Sequence, residues 1–211
     1  MADVLGQIPS RLYEGDEEGV AALVKQALDQ GLSPQEVLSG GLIAGMNRVG
    51  HDFRNGDLFV PEVLMAAEAM HAGMAVLKPL LVAGSVPTAG KLVIGTVEGD
   101  LHDIGKNLVK MMLEGAGFDV IDLGTDVRPD AFVAAVREHK PGLLGMSALL
   151  TTTMGGMQAT IGALAEAGLR DSVKVMVGGA PVTEAYARRI GADAYSSDAG
   201  SAVEAARRLV A

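Results

Sequence analysis

The sequence predicts an α/β protein in two parts: a four-helix-bundle cap over residues 1–86, then a doubly wound, five-stranded parallel sheet over residues 87–211. Three observations predict it. The first 80 or so residues carry helical periodicity and helix-start chemistry and no β-rich run. Ala83-Gly84-Ser85-Val86-Pro87-Thr88-Ala89-Gly90 is an uncharged Gly/Ser/Pro/Ala segment of linker composition. Beyond it, short β-rich runs alternate with helical patterns at crossover spacing, the signature of parallel strands joined through helices.

In the first part, Val20, Leu23, Val24, Ala27 and Leu28 fall on one helix face between Asp16 and Gln30, and Gly31 stops that helix. Ser33-Pro34-Gln35-Glu36 is a capping box with proline at the first helical position, so a second helix starts there and runs through Leu38, Leu42 and Met46. Arg54-Asn55-Gly56-Asp57 is turn chemistry, and Pro61 opens a third, very apolar helix to about Leu77. A short helix near the N-terminus completes the bundle. In the second part, the strands read Leu92–Val97, Val120–Leu123, Leu143–Ser147, Val173–Val177 and Ala192–Tyr195.

Composition excludes several functions. A net charge of −9 with no basic stretch argues against nucleic acid, and the absence of cysteine removes thiolate metal sites, iron–sulfur clusters and cysteine nucleophiles. With aromatics at 3% and no tryptophan, there is no stacking platform for bases or sugars. No basic-then-apolar leader and no continuous apolar run of membrane length are present, which places the chain in the cytoplasm.

The chemistry concentrates in Gly99-Asp100-Leu101-His102-Asp103-Ile104-Gly105, between the first strand and the helix that begins near Lys106. Turns at the carboxyl ends of strands are where ligands sit in open α/β sheets. Taken alone, His102 reads as an ordinary loop histidine. Asp100, two residues away, changes that reading, because a carboxylate that takes one imidazole N–H fixes the tautomer and leaves the other nitrogen as a ligand. His51, His71 and His139 lie on other elements without zinc-like spacing. One protein ligand suffices only for a metal that brings its own equatorial donors, a haem or a corrinoid. A strand-end turn suits the corrinoid, whose nucleotide tail needs a slot along the sheet. Two more strand ends contribute: Ser147-Ala148-Leu149-Leu150-Thr151-Thr152-Thr153, rich in hydroxyls, and Gly178-Gly179, where a ligand can approach the backbone. Neither a phosphate loop nor a dinucleotide glycine fingerprint fits Gly95, Gly99 and Gly105.

These residues resemble the cobalamin-binding signature Asp-x-His-x-x-Gly…Ser-x-Leu…Gly-Gly, here Asp100–Gly105, Ser147–Leu149 and Gly178–Gly179. With the helical cap in front, the chain is similar to the corrinoid proteins of methylamine, methanol, methoxyaromatic and betaine methyltransferase systems and to the B12-binding region of methionine synthase. The resemblance implies a flavodoxin-like sheet and cobalamin, or a related corrinoid, bound base-off and histidine-on. His102 takes the lower cobalt position, Asp100 hydrogen-bonds it, and Thr153, where methionine synthase has serine, completes the relay. Ser147, Leu149, Thr151, Gly178 and Gly179 line the tail slot beside the Gly99–Gly105 turn, and Phe59, Leu64, Met65 and Met70 are cap candidates for the methyl-bearing upper face.

It further implies a methyl carrier, cycling between Co(I) and methyl-cobalt forms, that is not catalytic alone. Its partners are a substrate-specific methyltransferase, an acceptor methyltransferase acting on a thiol or tetrahydrofolate-type pterin, and a reductive activase. The Ala83–Gly90 linker would serve as hinge for the cap. The alternatives are a cobalamin-dependent regulator or light sensor, a mutase-type B12-binding subunit and a phospho-acceptor signalling domain.

Overall fold

The computed structural model describes residues 4–84 and 88–211. The chain divides into two compact units, Met1–Pro87 with Gly115–Gly117, and Thr88–Glu114 with Phe118–Ala211. Residues 85–87 of the expected linker and hinge lie outside the described residues.

The first unit is helical: α1 (Val4–Tyr13), α2 (Glu17–Asp29), α3 (Pro34–Val37), a π-helical segment (Leu38–Ile43), α4 (Ala44–Asn55) and α5 (Val60–Gly84). Asp16 caps α2 through the Gly19 N–H, and the Ser33/Glu36 capping box starts α3. The helix expected through Leu38, Leu42 and Met46 is continuous but widens at its middle. Two adjacent glycines, Gly40 and Gly41, give that turn little resistance to the wider ring, and Gly41 lies against Ile8, where a Cβ would come within 3.1 Å. With α3, the π segment and α4 forming one run, the unit is a four-rod bundle around Ile8, Leu12, Val20, Val24, Leu42 and Val49. Gly73 on α5 sits so close to α2 and the π segment that a Cβ would meet Leu42 at 2.7 Å and Val20 at 3.0 Å.

Helix α5 continues past the expected end at Leu77, through Pro79 to Gly84. Its window Val60–Leu77 is long and apolar enough to cross a membrane by length and composition, with mean hydropathy 1.3. Within the bundle, Val63, Ala66, Ala67, Ala69, Met70 and Leu77 are buried, the pattern of a core helix.

The second unit is a five-stranded parallel sheet of order β2-β1-β3-β4-β5, with β1 Lys91–Thr96, β2 Asp119–Asp122, β3 Leu143–Ser147, β4 Lys174–Gly178 and β5 Ala194–Ser196. The connecting helices are α6 (Ile104–Gly115), α7 (Pro129–His139), α8 (Gly155–Glu166) and α9 (Glu184–Ile190), and α10 (Ala199–Val210) closes the chain. This is the predicted doubly wound architecture, with strand ends moved by a residue or two. Gly178 joins β4 because it pairs in register with Ser147 and Ser196. Asp193 stays out of β5, its carboxylate accepting the Val175 N–H at 2.7 Å and an Arg170 guanidinium N–H at 2.8 Å. One core face contains Val93, Leu144, Met146, Val175, Val177, Phe132 and Leu164. Because β1 neighbours both β2 and β3, the strand order reverses between β1 and β3, the position where open α/β sheets bind their ligands at the strands' carboxyl ends.

Candidate functional site

That reversal point is where the sequence concentrates its chemistry. The turn Gly99–Asp103 leaves β1 beside the turn Ala148–Met154 that leaves β3. Asp100 joins them. Fully buried, it receives five hydrogen bonds on its carboxylate: the His102 Nδ1–H at 2.7 Å and backbone N–H at 3.1 Å on Oδ1, and the Leu149 N–H at 2.7 Å, the Leu150 N–H at 3.3 Å and the Thr153 hydroxyl at 2.7 Å on Oδ2. Burial pushes this carboxyl's pKa up, but the hydrogen bonds from Leu149, Thr153 and His102 outweigh it and hold the group well below the usual carboxylate range.

The consequence falls on His102. An ionised carboxylate can only accept, so Nδ1 carries a proton, and in the neutral imidazole Nε2 is left with the lone pair. The His102 side chain is 52% exposed, so that lone pair is accessible. The turn carrying it is held from behind as well. Buried Thr96 donates its hydroxyl to the His102 carbonyl at 2.9 Å, the Gly99 N–H donates to Asp126 Oδ1 at 2.7 Å, and the Asp126 N–H donates to the Asp100 carbonyl at 3.0 Å. Asp126 adopts φ +55°, a conformation that aspartate tolerates better than most residues. Thr96 and Asp126 were not legible as site residues, because their partners are set by strand pairing rather than by sequence proximity.

Asp103 plays a local part: its carbonyl accepts the Asn107 N–H at 2.7 Å and its Oδ2 accepts the Asn107 side-chain N–H at 3.1 Å, fastening the start of α6. Beneath it, buried Lys106 donates to both oxygens of Asp122 at 2.7 Å and to Asn107 Oδ1 at 2.7 Å, tying α6 to the end of β2. Exposed apolar side chains flank His102 on both turns: Leu101 is 74%, Ile104 78%, and Leu149 and Leu150 each 42% exposed. A Cβ on Gly105 would meet nothing within 4 Å, so no protein packing demands glycine there. Ser147 ends β3, Thr151 lies exposed in the following turn, and Gly179, at φ +129°, approaches Ala148 so closely that a Cβ would collide with its carbonyl oxygen.

The cap candidates divide. Phe59, Leu64 and Met65 are exposed on the helical unit, whereas Met70 is 2% exposed in that unit's core. Met70 is therefore a packing residue, because the position that puts it on α5's apolar face also turns it inward. Among the described residues, no three His, Asp or Glu side chains converge as a metal site.

Comparison with known proteins decides what this arrangement belongs to. Family models described as B12 binding domain match residues 90–207 and residues 5–78. The chain belongs to the B12-binding family of corrinoid proteins. It is 47% identical over 210 residues to the dimethylamine corrinoid protein of Methanosarcina barkeri, covering 99% of this chain and 98% of that one. A corrinoid protein of Desulfitobacterium hafniense is 42% identical over 210 residues, covering 98% and 97%. Among solved structures, a cobalamin-binding protein from D. hafniense superposes with a TM-score of 0.82 at 36% identity, covering 98% of each chain. The methanol:cobalamin methyltransferase complex from M. barkeri gives 0.89 at 32% identity, covering 99% of this chain and 80% of that one.

The residues of this corrinoid protein fit such a cofactor. A single outward imidazole is a complete protein contribution to a metal already ringed by a macrocycle. The exposed Leu101, Ile104, Leu149 and Leu150 rim suits a broad ring whose burial removes them from water, at about 25 cal/mol per Å². Ser196 Oγ, a buried hydroxyl with no hydrogen-bond partner among the described residues, stands at the carboxyl end of β5, where a polar ligand could satisfy it.

Proposed function

We propose that this corrinoid protein receives a methyl group from a substrate-specific methyltransferase and delivers it to a second methyltransferase acting on a thiol or a tetrahydrofolate-type acceptor. When bound, the corrinoid supplies a cobalt that accepts and releases the methyl group. The observation that carries the reading is the exposed His102 Nε2 lone pair, fixed by a buried, ionised Asp100 on the turn where the sheet order reverses. His102 would hold the cobalt from below, with Asp100 and Thr153 as its supports. The Ser147, Leu149, Thr151, Gly178 and Gly179 strand ends would take the nucleotide tail, and the Gly99–Gly105 turn would lie along the ring.

The relatives support the donor class and the first partner. One is named for dimethylamine, another, 45% identical, for trimethylamine, and a solved relative is a complex with a methanol methyltransferase. The donor here is accordingly a small methylated amine or alcohol presented by a partner enzyme. The acceptor enzyme and a reductive activase complete the cycle in the cytoplasm. We assign covering of the methyl-bearing face to the helical cap of residues 1–86, with Phe59, Leu64 and Met65 as the side chains available for it. A regulator or mutase subunit is disfavoured, since relatives named as methylamine corrinoid proteins match over nearly their whole length.

The test is spectroscopic. Wild type and His102→Ala, each reconstituted with hydroxocobalamin and methylcobalamin, should both bind cofactor. The variant should lose the histidine-ligated absorption spectrum and, with it, most methyl transfer. Superimposable spectra from the two proteins would remove His102 from the metal.

A further inference from the structure

The loop between β2 and α7, residues 123–128, meets the His102 turn from a distance in sequence. Asp126 makes both contacts: its Oδ1 accepts the Gly99 N–H at 2.7 Å, and its own N–H donates to the Asp100 carbonyl at 3.0 Å. The loop does not depend on these bonds for its own place. The Leu123 N–H donates to the Ile94 carbonyl at 2.8 Å and the Val127 N–H to the Thr96 carbonyl at 2.9 Å, while the Gly124 carbonyl accepts the Thr96 N–H at 2.9 Å. A parallel bridge joins Val97 to Val127, and Asp122 at the base of the loop holds Lys106 and the Gly124 N–H. Removing the Asp126 carboxylate would therefore release the turn and leave the loop where it is.

Neither conformation nor stability explains an aspartate at this position. At φ +55° glycine would sit with less strain. Asp126 and Gly99 are both exposed, so water can take the place of either partner, and a hydrogen bond made there adds little to the net stability of the fold. What the bond does is local. Gly99, at φ +80°, is the pivot of the turn, and packing does not hold it: a Cβ there would meet only Thr153 Cγ2, at 3.6 Å. After the pivot, Thr96 holds the His102 carbonyl and Asn107 holds Asp103. At the pivot itself, the Asp126 carboxylate is the acceptor for the Gly99 N–H, and the Asp126 N–H steadies the carbonyl of Asp100, the residue that orients the His102 ring.

We infer that Asp126 is a positioning residue for the metal ligand: by fixing the Gly99 and Asp100 peptides it holds the Asp100–His102 pair in the pose that offers Nε2 outward, and so governs how firmly His102 ligates the corrinoid. The inference rests on the corrinoid reading. Asp126 acts through Asp100 and His102 and not on the metal, so its effect exists only while His102 is there to be positioned.

The experiment places Asp126→Gly and Asp126→Asn in the wild-type chain and in His102→Ala, and measures thermal unfolding of each apoprotein, its cobalamin affinity and the absorption spectrum of the loaded protein. In the wild-type background, Asp126→Gly should unfold close to the wild-type temperature. Its cobalamin affinity should fall about tenfold, the scale of one charge-assisted hydrogen bond, with a smaller histidine-ligated share in the spectrum. Asp126→Asn, whose amide oxygen can still accept the Gly99 N–H, should recover most of both. In the His102→Ala background neither substitution should lower the affinity further. Equal losses in the two backgrounds, an Asn variant no better than the Gly variant, wild-type affinity and spectrum in Asp126→Gly, or a marked fall in its unfolding temperature would each overturn the inference while leaving the corrinoid reading intact. Identical spectra from cobalamin-loaded wild type and His102→Ala would overturn the reading itself.

Discussion

Replacing Asp100 by Asn keeps the shape of the side chain and removes its charge, and the hydrogen bonds around it fix the outcome. The carboxylate accepts from two donors on Oδ1 and three on Oδ2. An amide has one acceptor oxygen. Placed at the Oδ2 position, it keeps the Leu149, Leu150 and Thr153 bonds and turns its NH2 toward His102; placed at Oδ1, it opposes two backbone N–H groups instead of one. The first orientation is the less costly. It leaves the His102 backbone N–H without an acceptor and forces His102 Nδ1 to accept, which moves the ring proton to Nε2 and removes the lone pair offered to the metal. An orphaned buried donor costs about 1–3 kcal/mol, and the surviving bonds lose their charge assistance, so the total is about 3 kcal/mol. At roughly 2–4 °C per kcal/mol for a chain of this size, thermal unfolding should shift down by about 10 °C.

The pH dependence has a definite sign. Asp100 titrates in the folded protein below the usual carboxylate range, against about 3.9 when unfolded, so the unfolded chain binds more protons in between. Its stabilisation is present above the unfolded value and is lost as pH falls through the folded one. The difference in urea midpoint between wild type and Asp100→Asn should be constant above about pH 5 and should narrow below about pH 4. The cobalamin-loaded variant should show little of the histidine-ligated spectrum at neutral pH. Wild-type stability together with a wild-type spectrum would refute the role assigned to the Asp100 charge.

Two further substitutions test the frame around the site. Gly179→Ala combines φ +129° with a Cβ driven into the Ala148 carbonyl oxygen, so urea unfolding should show a loss of about 3 kcal/mol or more; a loss near zero would mean that the β4 turn relaxes freely. Asp122→Asn leaves the ammonium of Lys106, whose side chain is 1% exposed, with the Asn107 and amide oxygens but without its negative partner, and should cost about 3 kcal/mol. Lys106→Met should cost less, because Asp122 keeps Lys110 at 3.4 Å and the Gly124 N–H at 2.9 Å, and the reverse ranking in urea midpoints would contradict this account of the pair.

The sequence by itself determined what depends on near neighbours along the chain. Helix starts at Ser33 and Pro61, the five β-rich runs and the Asp100–His102 pairing are all set within a few residues, where covalent geometry and periodicity leave few choices. Strand order and register decided the rest. Thr153 reaches Asp100 across 53 residues, and Asp126 reaches Gly99 across 27. Ser196 stands in one row with Thr96 only because four strands pair in that register. Met70 is buried and Met65 exposed on the same apolar helix, because α5 is apolar on more sides than the bundle covers. Contacts of this kind arise from how layers pack and not from what lies next along the chain, so composition and spacing do not contain them; the Thr153 contact was implied beforehand by the family resemblance alone, and the others became visible in the folded protein.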